Sequence, residues 1–126
     1  DEDMKNPEVF LNNFLSRDTV VLETDGGIMI LKRIVEGLKG EAHFTFWDRK
    51  LSPRAQLIRD CMVWAFLTFD LWRMETFVAD YAKAVRHFLE ERLGFTHEGV
   101  LRSSCWHAGR LIDIHVYAIL KGEVLK

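Results

Sequence analysis

The 126-residue chain has only two prolines and two cysteines, and none of its apolar runs nears the ~20 residues that a membrane-spanning helix needs. No basic-then-apolar segment opens it, so no secretory leader is expected. The scarcity of cysteine excludes a disulfide scaffold. Cys61 and Cys105 lie far apart and form no C-x-x-C pair, so reduced thiols in a cytoplasmic protein are the expectation. An excess of charge is missing too: the formal net charge of -2 gives no general attraction for nucleic acid or an acidic membrane surface. What remains is an ordinary composition, 48% hydrophobic and 29% charged, which suffices for one packed core. Nine Phe and four Trp are the one surplus. Core filling is its plain use, and an aromatic-lined pocket or interface is the alternative.

Both prolines fall where helices start. Asn6 as a cap, Pro7 at the first helical position and the pair Phe10 and Phe14 predict a short helix over about 7 to 16. Three strands should follow as a meander: DTVVLET, a turn at Asp25-Gly26-Gly27, then GIMILKRIVEG and EAHFTFWD. SPRAQLIRDCMVWAFLTF is the strongest helix, with Ser52 as cap and Pro53 behind it. LWRMETFVAD, dense in apolar residues between two helices, reads as a strand. DYAKAVRHFLEERLG reads as a helix capped by Asp80, with a buried stripe of Ala84, Val85, Phe88, Leu89 and Leu93. Gly94 is its left-handed stop.

The last segment predicts a hairpin with Ala108-Gly109 as a two-residue turn. Plain pairing from that turn sets Cys105 against Ile112, Ser103 against Ile114 and Leu101 against Val116. On the other face it sets Arg102 against His115 and Ser104 against Asp113. His115 then needs only an exposed surface position, and Asp113 has a structural partner beside it. The resulting fold class is α+β: one domain over residues 1–126, with a mixed, mostly antiparallel central sheet and helices on both faces.

Leu93-Gly94-Phe95, Glu98-Gly99, Arg102, Gly109, Asp113 and Tyr117 form an ordered set over residues 80 to 120. In that order and spacing the chain resembles the Gcn5-related N-acetyltransferase superfamily. It looks most like the branch that acetylates the N-termini of ribosomal proteins. The resemblance implies an acyl-CoA-dependent N-acyltransferase that moves an acetyl group from acetyl-CoA, as co-substrate, to a primary amine. The acceptor would be a small molecule or a peptide. It also implies an acetyl-CoA site where the third and fourth strands splay, with the pyrophosphate on the N-terminus of the helix between them.

Carried onto this chain, the cofactor-binding positions are Phe46, Trp47, Arg49, Lys50, Ser52, Arg54 and Ala55, with Lys83 at the pantetheine. The chain departs from the family here. Residues 49 to 55 hold no glycine, and Pro53 removes one N–H, so Arg49, Lys50 and Arg54 would bind phosphate through side chains or form a solvated basic loop. Lys83 stands where the family often has Asn, and Glu90 where it often has an acidic Tyr, so no general acid is assigned.

His43 and Glu41, two residues apart on one strand face, are the candidate bases, directly or through water. A structural histidine is the other reading of His43. Cys105-x-His107 is the only close pair of soft ligands and has no second pair at metal spacing, so no metal is expected. Two rival functions stay open: a non-catalytic ligand-binding or structural protein of the same fold, and an unrelated α+β small-molecule-binding domain. One short N-terminal helix, where the family commonly has two, would leave the acceptor side open to a larger substrate or a partner subunit. Exposed aromatics such as Trp106 make a homodimer possible.

Overall fold

The computed structural model describes residues 19–24, 27–46 and 55–125. The helix expected over 7 to 16 lies outside them. Six strands form one sheet: β1 (Val20–Thr24), β2 (Gly27–Val35), β3 (Lys39–Phe46), β4 (Arg73–Ala79), β5 (Thr96–His107) and β6 (Arg110–Leu120). Their order is β1-β2-β3-β4-β6-β5, and among the described residues β3 with β4 is the one parallel pair. This is the mixed, mostly antiparallel sheet that the element order predicts, and β1 to β3 form the expected meander.

Helix α1 (Ala55–Thr68) buries Ile58, Met62, Ala65 and Phe66 on one stripe. It covers the sheet face that carries Leu31, Ala42 and Met74, all at 0% exposure. β4 alternates as a half-buried strand should: Met74, Thr76 and Val78 are buried, with their neighbours partly open. The short helix α2 (Lys83–Phe88) widens into a π-helical turn at Leu89–Leu93, and that turn packs against α1. Four residues, Lys121–Val124, form α3 at the end of the sheet.

Two expectations about α2 need correction. Asp80 does not cap it; the N-cap is Ala82, without a side-chain bond, because the Asp80 carboxylate is taken by His115 at 2.8 Å. Ala84 is exposed, since a helix that begins at Lys83 turns it outward and buries Phe88, Leu89 and Leu93. The stop is as expected. Gly94 has φ +83°, and its N–H donates to the Leu89 carbonyl.

The β5–β6 turn is also as expected, with Ala108 at φ +50° and Gly109 at φ +80°. Cys105 faces Ile112, and then the predicted register fails. Leu101 pairs with Ile114 and Val100 with His115. The expected pairs Ser103–Ile114, Leu101–Val116, Arg102–His115 and Ser104–Asp113 do not form. The cause is a bulge between Leu101 and Cys105, where Ser103 takes φ +48° and its N–H donates to Asp113 Oδ1 at 2.9 Å. A second irregularity lies between His97 and Gly99.

Candidate active site

Parallel strands β3 and β4 run side by side only from Lys39–Arg73 to Glu41–Glu75. Past that rung they are no longer paired with each other, and a cleft of about 260 Å³ opens between them. His43, Phe44 and Thr45 line one wall, and Thr76 to Ala79 line the other. Ala82, Val85 and Leu89 close it from the helix side. The lining mixes apolar side chains with polar surface from His43, Thr45, Thr76 and the strand backbones, whose edges present main-chain N–H and C=O groups. A slot of this kind suits an extended chain that carries amides.

At the point of divergence stand the two candidate bases. His43 Nε2 lies 3.1 Å from Glu41 Oε2. Glu41 is buried, at 7% exposure, while His43 is half-buried on the cleft wall. An ionised Glu41 can only accept, so Nε2 then carries the hydrogen, and in the neutral ring Nδ1 is left as the acceptor. Arg33 Nε approaches the same Glu41 oxygen at 3.9 Å. A half-buried imidazole, oriented by a buried carboxylate at the mouth of the slot, can take a proton from an amine.

No family model matches the sequence, and no curated protein matches it either. Solved structures do resemble it. A chimera of Vibrio cholerae spermidine N-acetyltransferase SpeG and hSSAT is similar at a TM-score of 0.78. The identity is 21%, over 95% of this chain and 77% of that one. The Vibrio cholerae spermidine N-acetyltransferase in complex with CoA and spermine gives a TM-score of 0.77 and 19% identity, over 95% of this chain and 76% of that one. The chain has the acyl-CoA N-acyltransferase fold. At the level of fold this supports the resemblance to the Gcn5-related N-acetyltransferases.

Among the cofactor positions carried over to this acyltransferase fold, Trp47, Arg49, Lys50, Ser52 and Arg54 lie outside the described residues. Phe46 ends β3 and Ala55 begins α1, the described residues on either side of 47–54. Lys83 is exposed on the first turn of α2, next to Ala82 in the cleft wall. A wider hollow of about 700 Å³ lies by the β5 bulge, lined by Val100, Leu101, Arg102, Ser103 and Asp113. It is open along the sheet and borders neither the splay nor a base.

The structure assembles groups that sequence reasoning left apart. His115 is buried, at 7% exposure, rather than at the surface. Its Nε2 lies 2.8 Å from Asp80 Oδ1 and its Nδ1 lies 2.8 Å from His97 Nε2. The bulges of β5 bring His97 beside it, and no local signal announces them. Glu90 accepts from the buried Tyr117 hydroxyl at 3.2 Å, and Arg86 Nε donates to that hydroxyl at 3.2 Å. Asp113 is structural, but through the Ser103 amide.

On the opposite sheet face, Arg73 bonds Glu98 at 2.5 Å and 3.0 Å, and also Glu75. The Arg73 bond holds the Glu98 carboxyl below its ordinary range. Asp80 is likewise held low, first by the bond from His115 and then by the charges of His115, Arg86 and Lys83. The Cys61 thiol is pushed up, by burial and then by Asp60. Cys105 Sγ donates to the Trp106 carbonyl, and His107 stacks on Tyr81, with ring centroids 4.4 Å apart.

Proposed function

We propose that the chain is an N-acetyltransferase that binds acetyl-CoA in the β3–β4 cleft and transfers the acetyl group to a primary amine. One observation carries the reading: the strands part where the Glu41–His43 pair stands, so an extended thioester arm in the slot would end beside an oriented base. The amine nitrogen attacks the thioester carbonyl, its proton passes to His43 Nδ1, and the C–S bond breaks to release the thiolate. A main-chain N–H near Phe46 or Trp47 is the donor to the carbonyl oxygen. Arg49, Lys50, Ser52 and Arg54, with Ala55 at the start of α1, hold the phosphates, and Lys83 lies along the pantetheine.

The SpeG structure with CoA and spermine supports a polyamine as acceptor. The motif set over 80 to 120 supports a peptide N-terminus of the ribosomal-protein kind. A primary amine is common to both. The free Cys61 and Cys105 suit a reducing cytoplasm, and Trp106, 71% exposed, suits a homodimer face.

The test is turnover of acetyl-CoA with spermidine and with an N-terminal peptide as acceptors, alongside His43→Ala and Glu41→Gln. Loss of an oriented base should lower kcat about 10²–10⁴-fold while CoA binding persists. Binding without turnover in the parent chain would favour a ligand-binding protein of the same fold, which the absence of glycine from residues 49–55 also suits. No CoA binding at all would end the reading.

A further inference from the structure

Among the described residues three polar side chains are buried: Glu41, Thr76 and His115. Two of them are bonded. Glu41 holds His43, and His115 stands between Asp80 and His97. Thr76 is 3% exposed, and its hydroxyl has no hydrogen-bond partner among the described residues. Its cross-strand neighbour Tyr117 is engaged elsewhere: that hydroxyl donates to Glu90 and accepts from Arg86. A buried hydroxyl without a partner costs the free protein stability, and its presence asks for a reason.

Its place supplies one. Thr76 lines the β3–β4 cleft and follows Glu75, the last residue of β4 paired with β3. It therefore stands at the closed end of the slot. Met74, Thr76 and Val78 alternate onto the sheet face that the helices cover. Ala82, Val85 and Leu89 close the cleft on that same side. His43 comes from the other face, because Ala42 and Phe44 beside it on β3 pack into the core. The closed end thus has an oriented base on one face and a free hydroxyl on the other.

A thioester arm between β4 and the helix wall brings its sulfur to the Thr76 side, and the acceptor amine reaches the carbonyl from the His43 side. As the amine nitrogen bonds to the carbonyl carbon, the C–S bond breaks and its electron pair goes to sulfur. The proton of the amine goes to His43 Nδ1. The Thr76 hydroxyl keeps its own proton and donates a hydrogen bond to the forming thiolate. That bond strengthens as charge grows on sulfur, so it favours the transition state over the bound thioester. No existing bond of the hydroxyl has to break first.

We propose that Thr76 is a catalytic residue whose hydroxyl hydrogen-bonds the departing thiolate of CoA. The role rests on the acetyl-transfer reading; the unpartnered hydroxyl does not.

Thr76→Val, which removes the hydroxyl and keeps the shape, and Thr76→Ser, which keeps the hydroxyl, are compared with the parent in the full chain. Without ligand, Thr76→Val should unfold at the parent Tm or above it, because no bond is lost. A lower Tm would give the hydroxyl a structural partner and overturn the proposal. The thiol of bound CoA is then titrated from about pH 7 to about pH 10 by the ultraviolet absorbance of its thiolate, with the desulfo-CoA complex as blank. It should ionise about one pH unit lower in the parent and in Thr76→Ser than in Thr76→Val, since a donor to the charged form favours that form. Equal titration in the parent and Thr76→Val shows that the hydroxyl does not reach the sulfur, and overturns the role. With acetyl-CoA and an amine acceptor, kcat should fall about 10–10²-fold in Thr76→Val and recover in Thr76→Ser. An unchanged kcat overturns the role as well. A parent that binds no CoA by calorimetry overturns the acyl-CoA reading itself, and the Tm comparison still decides whether the buried hydroxyl is free.

Discussion

Arg59 donates from Nη1 to the Leu93 carbonyl oxygen at 2.9 Å, joining the N-terminal half of α1 to the end of the π-helical turn. The last carbonyls of a helix lack intrahelical donors. A cation from the neighbouring helix serves one here, and so holds the segment that places Leu89 in the cleft.

Arg59→Ala should therefore cost about 1.5 kcal/mol, the lower part of the range for a bond with one charged partner, since the site is only partly buried. Chemical denaturation reads it as a lower midpoint at unchanged slope. A change below about 0.5 kcal/mol, the level of an ordinary surface substitution, would show that the bond does not hold the helix end.

Gly94→Ala tests the backbone rather than the space around it. A Cβ there would meet only Arg59 Nη1 and Ile119 Cδ1, both at an ordinary 3.8 Å. The left-handed φ of +83° remains, and it should cost about 1–2 kcal/mol. Thermal unfolding at constant pH checks this, and an unchanged Tm would mean that the stop relaxes to another conformation.

Ala82→Phe tests the cleft. Ala82 is half-buried and lines the slot together with Val78 and Val85. A phenyl group there should weaken CoA binding more than about tenfold, with only a small change in Tm. Unaltered affinity would place the cofactor elsewhere.

The Arg73–Glu98 pair sets an acid dependence. Glu98 is held below its ordinary range when folded, so its stabilisation is complete above the unfolded-state value, about 4.3, and is lost as pH falls through the folded-state value. The Glu98 side chain is 38% exposed, so solvent screening limits the effect to less than about 1 kcal/mol. Glu98→Gln should flatten the acid limb of a stability-against-pH curve and leave stability at low pH alone. An identical limb in both proteins would assign the dependence to other carboxylates.

Reading the sequence succeeds where one residue and its neighbours decide the outcome. Gly94 stops a helix, and Ala108-Gly109 makes a tight turn, because these are local backbone preferences. The reading fails at β5, where plain alternation puts Arg102 opposite His115. The bulges between Leu101 and Cys105 and between His97 and Gly99 bring Val100 opposite His115 and leave His97 bonded to it. The position of a bulge depends on the partner strand, on Asp113 accepting from Ser103 for instance, and that is not a property of the segment itself.

The candidate site divides along the same line. That Glu41 and His43 share a strand face follows from the two-residue period of a strand, and the sequence by itself determined it, along with the element order and the helix stop. That β3 and β4 part just past Glu41, that His43 stands on the cleft wall, and that Asp80 leaves its expected cap to bond a buried histidine were decided only by the tertiary structure. These features depend on contacts between segments far apart in the chain. Such contacts form only when the whole sheet and its helices pack together.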